Sequence, residues 1–249
     1  STTSSVADWM RAAYASNKLA LPLLREPQLN SLFAEHAPNL QIEFMDDNDM
    51  IGTPQWESDN IRINSDNPTA YTLPSMTLFE GRKLLQLNYV FWFSGRKPNA
   101  LIDLYSGRVD SVIWRVTLDE DGQVLLYDSI HSCGCYHKYF IASDSINVKS
   151  QPTSREPANI FKLDAAATHD GLTLAITANK HYIVGVDSRS SNSPEESILY
   201  DIESYDLLNN LENDGGSRSL FDDNGLIAGS ERLERFTLCL LYTSDAADE

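Results

Sequence analysis

Hydrophobic residues recur at helical spacing mainly near the start of the chain. Val6, Trp9, Met10, Ala13 and Tyr14 form one apolar stripe, and Ser5 followed three residues later by Asp8 has the pattern of a capping box. The spacing predicts a helix that ends near Asn17. A second, shorter helix is expected from Pro27, a favourable first-turn residue, carrying Leu29, Leu32 and Phe33 inward until Pro38 stops it. Both read as packing elements.

From Leu40 onward the period falls to two, and turn residues become frequent: Gly52, Pro54, Pro68, Pro74, Gly81, Gly95, Pro98 and Gly107. The clearest strand runs from Leu84 to Phe93. Leu85, Leu87, Tyr89, Phe91 and Phe93 share a face that reads as core, and Leu84, Gln86, Asn88, Val90 and Trp92 share the other. That second face either lines a cleft or pairs with polar neighbours across strands. Asp110 to Ile130 predicts a hairpin turning through Asp119 to Gly122, with Val112, Trp114, Val116 and Leu118 alternating against Ser111, Ile113, Arg115 and Thr117. Further strands are expected at Tyr139 to Ile141, Leu172 to Ile176 and Tyr182 to Val186. A Ser/Asn/Pro-rich loop should follow from Asp187 to Glu196, then a helix over Leu199 to Leu211 and a turn at Asp223-Asn224-Gly225. No internal repeat is visible, which argues against solenoids and propellers.

These elements predict an α+β fold: mainly antiparallel β-sheet, as a twisted meander or a partly closed barrel, with one or two N-terminal helices packed on it. The expected organisation is a helical segment over residues 1–39, a β-rich main domain over 40–239, and a non-native tail over 240–249. The tail, LLYTSDAADE, resembles translated sequencing-adapter read-through, a contaminant at the ends of assembled environmental sequences. Position 1 is Ser and no signal peptide is recognisable there, so the chain reads as an excerpt.

Composition changes the picture in one respect. The formal net charge of -17, from 19 basic and 36 acidic residues, repels phosphate backbones, so nucleic acid is not an expected partner. The hydrophobic share of 42% suffices for a substantial core, yet no run of about 18 apolar residues is present to cross a bilayer as a helix. The expected partner is a small-molecule or peptide ligand, and oligomeric state is not legible.

Reactive side chains are concentrated in HSCGCYH, directly after the second hairpin strand. His131, Cys133, Cys135 and His137 alternate there and would project from one face if the strand continued. Imidazole and thiolate ligands suit zinc or copper(I) better than calcium or magnesium. A flat strand would nevertheless hold His131 and His137 roughly 20 Å apart, so Gly134 must bend the chain before these residues can converge on one ion.

The four residues are thus candidates both as metal ligands and as catalytic groups, and three readings stay open. In the first, a metal-dependent hydrolytic enzyme holds zinc through His131, Cys135 and His137, with Cys133 beside them, and activates a bound water. In the second, a non-catalytic envelope or ligand-binding domain uses the cluster structurally. The third is cysteine chemistry: a thiolate at Cys133 or Cys135 activated by His131 or His137, or by His169 or His181 from another strand, or else a Cys133 to Cys135 disulfide bent at Gly134. Asp128, of opposite strand parity, should face away from the cluster unless a bulge intervenes, and either pair with Arg115, orient a group that supports the site, or lie in solvent. His36 reads as a helix-terminus residue. HExxH, GxSxG, Walker and GxGxxG patterns are absent.

The stretches LLQLNYVFWFSGR, DSVIWRVTLDEDGQVLLYDSIHSCGCYH and SLFDDNGLIAGSERLERF resemble an uncharacterised family of large bacterial proteins of the cell envelope. The resemblance spans most of Leu40 to Phe236. It implies a cell-envelope or periplasmic location, a chain that runs on beyond this one, and no activity.

Overall fold

The computed structural model describes residues 5–95, 109–132, 134, 136–148, 159–163, 171–188, 197–213 and 215–227. The first helix, α1 (Val6–Ala15), starts where the capping box places it: Ser5 accepts from the Asp8 N–H, and the Asp8 carboxylate accepts from the Ser5 N–H. The second, α2 (Glu26–His36), carries Pro27 in its first turn and buries Leu32 and Phe33. Strands follow in the order β1 (Asn39–Ile42), β2 (Ile51–Glu57), β3 (Asn60–Asn64), β4 (Thr69–Phe79), β5 (Arg82–Phe93), β6 (Asp110–Leu118), β7 (Val124–His131), β8 (Lys138–Ile141), β9 (Asn159–Lys162), β10 (Leu172–Ile176), β11 (Ile183–Ser188), β12 (Asp201–Ser204), β13 (Leu211–Asn213) and β14 (Gly216–Arg218).

The largest sheet is built on an antiparallel meander, β4-β5-β6-β7-β8. At its edges β12 adds parallel to β4 and β9 adds parallel to β8, while β2 pairs with the end of β5 and carries β3. Among the described residues this sheet does not close into a barrel. A smaller sheet, β1-β10-β11, shares a core with one face of the meander: Leu85, Leu87, Tyr89, Phe91, Phe93 and Trp114 pack with Met10, Leu32, Phe33, Leu40, Leu174 and Ile183. The fold is therefore α+β with few helices, and no helix among the described residues is long and apolar enough to cross a membrane.

The other face of β5 is divided. Val90 and Trp92 join a second cluster with Ile63, Tyr71, Leu208 and Leu220. Its polar end is tied across strands: Ser75 Oγ donates to Gln86 Oε1 at 3.3 Å, Gln86 Nε2 donates to Thr117 Oγ1 at 3.1 Å, and Asn88 Nδ2 donates to Ser75 Oγ at 2.9 Å. Cross-strand pairing, and not a cleft, accounts for those amides.

The helix expected over Leu199 to Leu211 does not form. Asp201–Ser204 instead docks as β12 on β4, and Tyr205–Asn209 makes a 3-10 turn. The expected apolar stripe is not used, because Leu199 and Leu207 are exposed while Leu208 is fully buried. Pairing with an available sheet edge satisfies the backbone groups of this segment without helical hydrogen bonds.

Candidate functional site

The segment expected to gather the reactive residues turns back instead of continuing as a strand. Gly134 adopts φ 83° and Tyr136 φ 61°, and β8 pairs with β7 so that Lys138 faces Ser129 and Tyr139 faces Asp128. The reversal changes side-chain parity. His131 remains on the Trp114 side, 4% exposed, with Nδ1 3.5 Å from Asp110 Oδ1. His137 is carried to the opposite face, where it meets Asp128.

Gly134 thus bends the chain, but the bend separates the two histidines. Cys133 and Cys135 lie outside the described residues, as do His169, Cys239 and the 240–249 tail. The expectation of a metal-dependent hydrolytic enzyme is corrected: among the described residues no group of three or more His, Cys, Asp or Glu is placed to hold a metal ion. The two histidines serve separate partners and do not form one shared site, His131 meeting Asp110 and His137 meeting Asp128.

On the His131 side, His181 is fully buried and stacks on Phe93 at 3.9 Å with a 10° interplanar angle. Its Nδ1 lies 2.9 Å from Asp110 Oδ2. Asp49, also buried, accepts from the backbone N–H groups of Met45, Asp46 and Asn179. These contacts lock the entrance of β2, the start of β6 and the β10–β11 turn together.

On the His137 side, four residues form a chain. Asp128, 2% exposed, accepts on Oδ1 from Arg115 Nε at 2.7 Å and Nη2 at 2.5 Å, with His137 Nε2 3.0 Å from the same oxygen. The Tyr139 hydroxyl lies 3.1 Å from His137 Nδ1. An ionised carboxylate can only accept, so Nε2 carries a hydrogen, and in the neutral imidazole Nδ1 is left to accept from the phenol. Arg115 Nη2 lies 3.2 Å from Nε2, two donors side by side on one carboxylate oxygen. Burial and the Asp128 charge raise the Tyr139 pKa, opposed by Arg115, so the phenol keeps its proton. The Arg115–Asp128 pair matches one expectation for Asp128, while its burial replaces the alternative of solvation. The partnership with His137 escaped the sequence because parity counting assumes an unbroken strand.

A cleft of about 310 Å³ opens at the C-terminal end of α2. Glu35 and His36 form one wall, Gly122, Gln123 and Val124 another, and Ala142, Ser143, Gly171 and Leu172 complete it over Trp114 and Tyr127. The two aromatic rings stack at 5.3 Å and 18° and are almost wholly buried, giving a rigid floor. Burial depresses the His36 pKa, with Glu35 opposing, and raises that of Tyr127 to about 12. Among the described residues the lining contains no Lys or Arg.

No protein-family profile and no curated protein matches the chain. It is similar to a solved structure described as "Toxin fold for microbial attack and plant defense", at 11% identity and a TM-score of 0.42, covering 80% of this chain and 86% of that one. A second, "NLPPya in complex with mannosamine", is 12% identical with a TM-score of 0.32, covering 54% of this chain and 73% of that one. At such scores neither likeness assigns a function.

Proposed function

We propose that the chain binds a small, uncharged, oxygen-rich molecule in the cleft at the end of α2. The observation that carries this reading is the lining: one carboxylate, an imidazole held towards its neutral form, an amide and a hydroxyl, gathered over a fixed aromatic floor in a volume suited to a small ligand. Three features disfavour anions there. Glu35 is acidic, no Lys or Arg lines the walls among the described residues, and the C-terminal end of α2 presents the negative pole of its dipole. Hydroxyl and ether oxygens satisfy both the acceptors and the donors of such a wall.

Thermal-shift titration tests this with glucose, N-acetylglucosamine and myo-inositol as neutral probes and citrate as the anion. A saturable rise in Tm is expected with at least one neutral probe and none with citrate. Glu35→Gln and Gln123→Ala, both at exposed positions, should weaken the response without lowering the basal Tm. The reading is lost if no neutral probe shifts Tm, or if the shift survives both substitutions unchanged.

A further inference from the structure

The Arg115–Asp128–His137–Tyr139 chain lies on the opposite face of the sheet from the cleft and has no part in the binding just described. Its order is carboxylate, imidazole, hydroxyl, the connectivity by which a base is oriented and an oxygen nucleophile relieved of its proton. Access is graded in the same order: Asp128 is buried, whereas His137 and Tyr139 are partly exposed. Tyr136 occupies the left-handed region at φ 61°, a costly conformation for an aromatic residue, in the turn that delivers His137 to the Asp128 face.

We propose that Tyr139 is an acyl-accepting residue, with His137 as its general base and Asp128, held by Arg115, as the positioning residue. The donor class is an activated ester. Tyr139 Oη bonds to the ester carbonyl carbon while its proton passes to His137 Nδ1. The tetrahedral adduct collapses by breaking the bond to the alkoxy or aryloxy group, which leaves with its electron pair. The products are an O-acyl tyrosine and the leaving group: an alkoxy group departs as the alcohol with the proton held by His137, and an acidic aryloxy group departs as the phenolate while His137 releases its proton to solvent. During the step the imidazolium faces the Asp128 carboxylate, whose charge it shares with the Arg115 guanidinium beside it. Burial and the Asp128 charge hold the Tyr139 pKa up, so the resting phenol keeps its proton and its transfer to His137 has to accompany the attack.

The probe is p-nitrophenyl acetate, with p-nitrophenolate release followed by absorbance and acetylated peptides located by mass spectrometry. The intact chain should release about one equivalent in a burst, with acetyl on Tyr139. Its rate should exceed that of Tyr14 and Tyr200 by on the order of 10²-fold. His137→Gln should remove that advantage, and Tyr139→Phe should abolish the burst while the melting curve is kept. Acetylation of Tyr139 no faster than of Tyr14 and Tyr200 in the unmodified sequence would overturn the proposal without reference to any variant. Acetyl retained on His137 in place of Tyr139 would overturn it as well.

Discussion

At the scale of single residues, burial decides which titratable groups matter to stability. His36 is desolvated at the cleft wall, so its pKa lies below the ordinary 6.5, with Glu35 offsetting part of the shift. Between the depressed value and 6.5 the unfolded chain binds more protons than the folded one, and stability rises with pH across that window. The stabilising contribution of neutral His36 is complete above 6.5 and is lost as pH falls towards the folded value. His36→Gln should therefore flatten the dependence of Tm on pH below 6.5 and leave it unchanged above. An unchanged slope in the substituted protein would show that other groups set it. The sequence placed His36 at a helix end but not at a cleft, because the opposite wall comes from residues more than 80 positions away. The same limit applied to His131 and His137: alternation assigned both to one face, and the positive φ of Tyr136, at a residue type that carries no turn signal, sends His137 to the other.

Elements were legible where local chemistry fixes them. The capping box at Ser5, Pro27 in the first turn of α2, and the β6–β7 hairpin all arise from interactions within a few residues. Where an element depends on a distant partner, as β12 does on β4, periodicity misled. The β6–β7 turn also has a long-range contact that the sequence did not reveal. Gly122 sits at φ 82°, and a Cβ there would lie 2.5 Å from Val6 Cγ1 on α1. Gly81, in the β4–β5 turn at φ 78°, has nothing within 4 Å of the corresponding point. Alanine at Gly81 should cost only the left-handed backbone conformation, about 1–2 kcal/mol. Alanine at Gly122 should carry that cost and a further penalty of about 1–3 kcal/mol for displacing α1. Urea denaturation of the two variants separates these contributions, and equal losses would mean that α1 yields freely.

At the scale of the molecule, the large sheet separates two kinds of chemistry along a single strand. Trp114 and Arg115 are neighbours on β6, yet Trp114 floors the cleft while Arg115 points to Asp128 on the far face. Strand alternation creates that division, and it was the most legible feature of the sequence; what each face contains depended on loops and the smaller sheet. The two faces of the sheet carry separate apolar clusters, so a change that leaves the backbone in place should remain local to its own face. Tyr139→Phe removes one hydroxyl on the far face and no cleft contact. Its effect on the Tm response to a neutral cleft probe should accordingly be nil, even though the acetylation burst is lost. Conversely, Gln123→Ala should weaken the probe response and leave the burst at full amplitude. A probe response diminished by Tyr139→Phe would instead mean that β6 and β7 shift together between two arrangements, and the faces would have to be treated as one coupled site.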